Sequence, residues 1–282
     1  TGGIDPGDIV FPIREIAKGR TEHLKAEVLS VDMLKKLIVT SQGEISYDYL
    51  IVALGTETNF FGVSGAAEYS FTLKNIEDAR RLKNHLIHIF DEATREKDPS
   101  KQKDILRIVF IGGGATGIEL AAEVHEFLKE INKEYPNIPD EAVEFYLIEA
   151  GDKLLPVFHS KFSEKALSIL IKKGFKVIFK DPCAKIDSNG ITCASLRTIK
   201  SRTVILTSGV LPSPVAIVPK PECQKDRIVV ELSLNMKSFP EVFVLGDLAA
   251  VADKKFGILP TSAQVATEEG LFVGKNIARL IS

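Results

Sequence analysis

Three glycines spaced Gly112-x-Gly114-x-x-Gly117 stand between an apolar, β-branched run, Ile108 to Ile111, and an Ala- and Leu-rich helical pattern. That spacing can cradle a pyrophosphate. Gly112 permits the tight turn, Gly114 lets backbone approach the phosphates, and Gly117 lets helix and strand pack closely. The start of the helix adds unpaired N–H groups and a positive dipole end. The plainer alternative is a tight βα turn with no ligand. Glu149 closes the next strand of the same unit, where an acid bonds the adenosine ribose hydroxyls and repels a 2′-phosphate. Its distance from the glycines exceeds the usual ~20 residues because a loop through Pro136 to Ala142 intervenes. The plainer alternative is an exposed strand-end acid. The expected cofactor is NADH rather than NADPH, with Lys153 as an opposing charge nearby in sequence.

Other residues could do chemistry outside the glycine turn. The segment Val242-Phe-Val-Leu-Gly-Asp-Leu248 is a strand that stops at Gly246-Asp247. An acid there suits a sugar hydroxyl; it could equally be a helix N-cap. Glu119 lies just inside the glycine-turn helix, where an acid near a helix start is stabilised by ~0.3–1 kcal/mol from the dipole alone. Glu123 is one turn further, and the same bland reading is stronger there. Gln264 is an uncharged amide at an otherwise apolar helix start, which a capping role would explain. His85, His88 and His125 have no ligand partners at convincing spacing and read as surface histidines. Phe60 and Phe61 read as packing, and the charged run from Glu126 to Glu134 as a solvated helix face.

These residues need elements to position them. Thr1 to Gly7 is turn-rich, and Asp8 to Lys18 reads as a short helix or an extended lead-in, weakened as a helix by Pro12. His23 to Ser30, Lys36 to Ser41 and Ile45 to Ala53 read as a β-meander with a turn at Gln42-Gly43, ending in a buried strand before Gly55. Asn59 to Ser70 reads as a loop. Asn75 caps a long amphipathic helix, Ile76 to about Ala93, with Leu82, Leu86 and Phe90 on one face. Lys97 to Lys103 reads as a polar linker. An α/β unit follows: strand Ile105 to Ile111, helix Ala115 to about Ile131, strand Val143 to Ile148, helix Ser163 to Lys173, strand Lys176 to Phe179, two strands around Gly190 and Ser195, and strand Thr203 to Thr207. After Gly209 come proline-rich turns, strand Ile228 to Val230, the strand into Asp247, and a helix from about Ser262 to Leu280. A nucleotide unit is thus inserted between two pieces, entered after Gly55 and left at Gly209. The expected boundaries are 1–75, 76–210 and 211–282.

Composition bounds the partners. With 282 residues, 45% of them hydrophobic, the chain can bury a large core in one or two domains. A net charge of −2 provides no basic field for nucleic acid. Cys183, Cys193 and Cys223 show neither a C-x-x-C nor a zinc spacing, which fits a reducing compartment and supplies no catalytic dithiol. No apolar run approaches the ~18 residues of a membrane span, and no signal peptide is visible. The chain begins at Thr1 rather than Met, which is consistent with a processed or shortened form.

Several strings together resemble one family. They are Tyr47-Asp-Tyr-Leu-Ile-Val-Ala-Leu-Gly-Thr56, Asn59-Phe-Phe-Gly-Val63 with Thr72-Leu-Lys-Asn-Ile-Glu-Asp-Ala79, the run from Gly112 to Glu123, Leu147-Ile-Glu-Ala-Gly-Asp-Lys-Leu-Leu-Pro156, Thr203-Val-Ile-Leu-Thr-Ser-Gly-Val210, Leu245-Gly-Asp-Leu-Ala-Ala250 and Leu259-Pro-Thr-Ser-Ala-Gln-Val-Ala266. In this order they are similar to the type II NADH dehydrogenases, single-subunit NADH:quinone oxidoreductases that do not pump protons. The resemblance spans essentially the whole chain. It implies an α/β fold in which a Rossmann-type NADH domain is inserted into a partial FAD-binding domain with a β-meander. It implies FAD and NAD as cofactors, and NADH and a quinone as partners in a respiratory chain. It also implies peripheral membrane contact through a segment absent here, at the cytoplasmic face, and no nucleic acid. It places Glu119 by the nicotinamide–flavin contact as a proton relay to quinone, Gln264 near the flavin and quinone pocket, and Gly55, Gly209, Gly246 and Asp247 on the cofactors. Beside that absent segment, the family's C-terminal membrane anchor, two further departures stand out. The family's N-terminal FAD fingerprint is not in this chain, which implies weak FAD binding, or none, by the chain alone. Glu268 and Glu269 stand where members commonly carry two glutamines. The alternatives are a sulfide:quinone reductase, similar in layout, and a nucleotide-binding fragment without turnover.

Overall fold

The computed structural model describes residues 12, 13, 15, 21–207, 209–213, 215–255 and 257–282. The turn-rich start and most of the expected lead-in at Asp8 to Lys18 lie outside the described residues. The chain separates into two compact units: one is Thr58–Gly209, and the other joins the described residues up to Glu57 to Val210–Ser282.

The front segment supplies β1 (Val28–Asp32), β2 (Leu37–Thr40), β3 (Gly43–Ser46), β4 (Leu50–Val52) and β5 (Thr56–Thr58). β1, β2 and β3 form the antiparallel meander, and Gly43 takes φ 124° in its second turn. The expected strand Ile45 to Ala53 divides in two. Its first half stays in the meander, while β4 joins a different sheet. Nor is β4 a buried strand, because Ile51 is 46% exposed and only Val52 of the three is buried.

The inserted unit contains α1 (Ala66–Tyr69), α2 (Ile76–Arg95), α3 (Pro99–Leu106), β6 (Ile108–Ile111), α4 (Ala115–Asn132), β7 (Phe145–Glu149), α5 (Ser160–Lys172), β8 (Phe175–Phe179), β9 (Cys183–Asp187), β10 (Gly190–Cys193), β11 (Thr198–Lys200) and β12 (Thr203–Leu206). Its central sheet runs β12-β6-β7-β8, parallel throughout, and β9, β10 and β11 form a separate antiparallel sheet. The four residues of β6 are all buried, as a strand covered on both faces requires. Asn75 caps α2 as expected, its Oδ1 accepting from the Asp78 N–H at 2.8 Å, and Leu82, Leu86 and Phe90 are buried. The stretch expected as a linker, Lys97 to Lys103, is instead largely helix. Asp98 caps it by accepting from the Ser100 N–H at 2.9 Å, Pro99 occupies its first turn, and Ile105 and Leu106 bury its end. The expected strand start at Ile105 therefore moves to Ile108. The expected loop Asn59 to Ser70 contains the short α1, with Ala66 buried.

The back segment adds β13 (Val210–Pro212), β14 (Ala216–Val218), β15 (Cys223–Gln224), β16 (Arg227–Val229), β17 (Asn235–Met236), β18 (Phe239–Val244), β19 (Ala249–Ala250) and α6 (Ala263–Leu280). β14 joins the meander alongside β1 in parallel, and β18 pairs in parallel with β4, Val244 opposite Val52. Ser262 caps α6, its Oγ accepting from the Val265 N–H. Each unit has its own core. The first includes Leu86, Phe90, Phe110, Leu147 and Leu154, the second Val31, Val52, Val242, Val244 and Val273.

Candidate functional site

In the inserted unit, β6 ends at the glycine turn and α4 leaves it. Gly112 adopts φ 113°, a left-handed value that a side chain would strain. A Cβ on Gly117 would run into the Gly112 carbonyl oxygen and lie 2.7 Å from Thr207 Oγ1, so this glycine is required by the packing itself. A Cβ on Gly114 would meet no atom within 4 Å. Nothing in the protein's own packing among the described residues requires a glycine there. Gly114 is also the N-cap of α4 and offers no side-chain cap, so the first-turn N–H groups face no capping acceptor. The turn opens into a cavity of about 390 Å³ lined by Gly112, Gly113, Gly114, Glu149, Thr207 and Phe61, among others.

Glu149 stands at the end of β7 and lines this cavity. Its Oε2 accepts from the Gly113 N–H and its Oε1 from the Gly151 N–H, both at 2.6 Å. The carboxylate is thus oriented by backbone, and each oxygen keeps a further lone pair. Gly113 completes this bracket: a Cβ there would lie 2.9 Å from Glu149 Oε2 and 2.6 Å from Leu154. The sequence reading gave no role to Gly113, although the Gly-Gly-Gly triplet was the signal. Thr207 was missed as well. Its Oγ1 donates to the Ile111 carbonyl at 3.1 Å and so ties β12 to the turn. Gly209, at φ 73°, lies against the Phe61 ring. Phe61 is 63% exposed and lines the cavity, so its expected packing role is corrected; Phe60 does pack in the core.

Glu119 is the fifth residue of α4, exposed, with no partner for its carboxylate among the described residues. It lies beyond the first turn, where the dipole effect has faded. Glu123 is exposed too. The surface reading of two histidines fails. His85 bonds Thr203 Oγ1 at 2.8 Å beside Phe71, and burial lowers its pKa to about 4. His125 is 2% exposed between Phe145 and Phe175. His88 is exposed. Among the described residues, no group of acids, histidines or cysteines could hold a metal ion. In the charged run, Glu126 pairs with Lys173 and with His125.

The other unit carries the second strand-end acid. Leu245 N–H donates to the Val52 carbonyl at 3.1 Å, which carries the β4–β18 pairing to the turn. Gly246 follows at φ 68° and opens a single 3-10 turn, Gly246–Leu248. Asp247 lies within that turn rather than capping a helix, and no hydrogen bond reaches its carboxylate among the described residues. Gly55 adopts φ 65° with open space where a Cβ would be. Gln264 is the second residue of α6 and is exposed; the capping role belongs to Ser262. Glu269, on α6, is only 6% exposed and accepts the Gly246 N–H at 2.6 Å. The sequence reading noted Glu269 only as a departure from glutamine.

The comparisons with known proteins bear on the family. The family profile of the pyridine nucleotide-disulphide oxidoreductases matches residues 5–270. A type II NADH:quinone oxidoreductase of Staphylococcus haemolyticus is 30% identical over all of this chain and 70% of its own length. The chain belongs to this family. A type II NADH:quinone oxidoreductase of Staphylococcus aureus is 28% identical over the same shares. The structure of NDH2 from Plasmodium falciparum in complex with NADH is similar at a TM-score of 0.74 and 23% identity, covering 82% of this chain and 50% of that one. The chain thus spans about half of that solved relative and 70% of the Staphylococcus enzymes. A sulfide:quinone oxidoreductase of Aquifex aeolicus has the same fold, with a TM-score of 0.75 at 17% identity. Family membership rests on the sequence relatives, since fold alone does not separate these two activities.

Proposed function

We propose that this protein is an NADH:quinone oxidoreductase in which the inserted unit binds NADH and the other unit holds the sugar-alcohol end of FAD. The observation that carries the reading is the conjunction at the glycine turn: open space at Gly114, uncapped N–H groups on α4, and a backbone-oriented Glu149 on one cavity. These residues fit a dinucleotide. The α4 N–H groups and Gly114 receive the pyrophosphate, and Glu149 accepts the adenosine ribose hydroxyls. Asp247, whose carboxylate has no hydrogen bond among the described residues, fits a ribityl hydroxyl. When bound, the flavin supplies the two-electron chemistry between nicotinamide and quinone. Glu119, exposed on α4, is assigned the proton destined for a quinone, and Gln264, exposed on α6, is assigned separately to the flavin-holding unit. Membrane contact and a place at the cytoplasmic face belong to this reading; among the described residues no helix is long and apolar enough to cross a membrane.

The sulfide-oxidising alternative needs reactive cysteines beside the flavin. Cys183 and Cys193 are buried in the inserted unit, where burial raises both thiols to about 11. They stay protonated near neutral pH, and that disfavours the alternative.

Calorimetric titration with NADH and NADPH tests the first half of the proposal. NADH binds at least about tenfold more tightly, because a 2′-phosphate meets the Glu149 charge. Glu149→Gln narrows that ratio. Equal affinities in the unmodified protein would rule the assignment out. Quinone reduction by NADH with FAD added tests the second half.

A further inference from the structure

Beneath the Gly246–Asp247 turn lies a charged cluster that the fold does not need and leaves unfinished. Glu269 Oε2 accepts the Gly246 N–H, while Oε1 is buried and has no hydrogen-bond partner. Arg227, from β16, donates through Nη1 to the Leu259 carbonyl at 2.6 Å, yet its Nε and Nη2 are buried without partners. Burial lowers the Arg227 pKa, opposed by the charges of Glu269 and Asp247, and burial raises that of Glu269. A core that needed only stability would place apolar side chains here, since an unsatisfied buried ion is costly. The cluster reaches the turn through the N–H of the glycine preceding Asp247, and the Leu259 carbonyl through Arg227.

We propose that Glu269 is a positioning residue: its carboxylate fixes the Gly246 N–H and so the turn that carries Asp247, with Arg227 as the buried counter-charge. This inference rests on the flavin reading of Asp247. Glu269 does not touch the ligand and acts through the turn. The Gly246 φ of 68° is one of several that a glycine can adopt, so the turn needs an external acceptor to stay single-valued. A carboxylate at 269 supplies Arg227 with a counter-charge that a neutral amide would not.

The experiment uses the full chain with two readouts. The first is the backbone amide resonance and hydrogen exchange of Gly246 in the absence of ligand. The second is the affinity for FAD by calorimetry, with NADH affinity as a control for folding. Glu269→Ala shifts the Gly246 resonance and speeds its exchange, and it weakens FAD binding about tenfold, as loss of a hydrogen bond to a charged group does. Glu269→Gln keeps an acceptor and loses less. Adding Arg227→Met to Glu269→Gln restores part of what Glu269→Gln lost, because the stranded charge is gone. Asp247→Ala weakens FAD binding by a similar factor, and Asp247→Ala with Glu269→Ala is no worse than Asp247→Ala alone. Additive losses in that pair would overturn the proposal, as would an unmoved Gly246 resonance in Glu269→Ala. If the unmodified chain shows no FAD binding, the Gly246 resonance and its exchange rate decide for or against the clamp.

Discussion

The two strand-end turns, Gly112–Gly117 and Gly246–Asp247, use the same devices and finish them differently. Both follow a parallel strand pair, and both have a glycine at positive φ. In the inserted unit the acid is satisfied: Glu149 accepts two backbone N–H groups at 2.6 Å. In the other unit, among the described residues, the carboxylate of the strand-end acid Asp247 has no hydrogen bond, and Glu269 and Arg227 retain unpaired atoms. The first turn is therefore clamped by a carboxylate whose two oxygens both meet backbone N–H groups. The second is held by buried charge, which is a more conditional support.

The comparison breaks most visibly at the glycines. Gly117→Ala places a Cβ against the Gly112 carbonyl, which is backbone and cannot swing away. The expected loss is about 3 kcal/mol or more of stability in the inserted unit, together with NADH binding. Gly114→Ala provides the contrast. Its φ is −72°, and a Cβ there meets nothing, so stability holds within about 0.5 kcal/mol. NADH affinity nevertheless falls by about tenfold or more, because the methyl group occupies the approach of the pyrophosphate. Urea denaturation and NADH titration of both variants check this. Equal losses of stability would mean that the two glycines share one structural role.

A second contrast is in acid response. His85 is half-buried, and desolvation lowers its pKa from 6.5 to about 4, so it is neutral at pH 7. Below pH 6.5 the unfolded chain takes up a proton that the folded chain refuses, so stability falls as the pH drops from about 6.5 to about 4. The full effect is about 3 kcal/mol at most. Glu269 acts with the opposite sign. Its pKa is raised, so its contribution is present below the unfolded value of 4.5 and is lost as the pH rises through the folded value. Urea midpoints between pH 7 and pH 4.5, for the unmodified chain and for His85→Gln, measure the first term. A His85→Gln profile as steep as the parent would remove His85 as its source.

What the sequence made legible follows the same division. The glycine turn was readable because each glycine answers a local geometric demand, and Glu149 because a strand-end position can be counted. The caps Asn75 and Ser262 mark helix starts by residue type alone. The helix at Pro99–Leu106 was hidden by its polar composition, although Asp98-Pro99 was a start signal and its buried end is only Ile105 and Leu106. The change of sheet between β3 and β4 was hidden because alternation continues across Tyr47-Asp-Tyr49. His85 and His125 looked like surface residues because their partners, Thr203, Phe145 and Phe175, are distant in sequence. Glu269 could not be read as buried for the same reason: its partners Gly246 and Arg227 come from other elements.

The smallest expected effect on stability is at Glu119, and it separates fold from chemistry. Glu119 is exposed, fifth in α4, and makes no pair among the described residues. Had it been in the first turn, Glu119→Gln would remove a dipole contribution of ~0.3–1 kcal/mol. At its observed place the change is expected to stay within about 0.5 kcal/mol, as for an unpartnered surface side chain. NADH binding is also expected to hold, since the pyrophosphate and ribose contacts lie at the turn and at Glu149. If the carboxylate holds the proton destined for a quinone, Glu119→Gln slows quinone-dependent reoxidation of the FAD-loaded protein and alters its pH profile, while reduction by NADH proceeds at the parent rate. Stopped-flow absorbance separates the two half-reactions. Reoxidation at the parent rate with the parent pH profile would remove Glu119 from the proposed site and leave it a solvated helix residue.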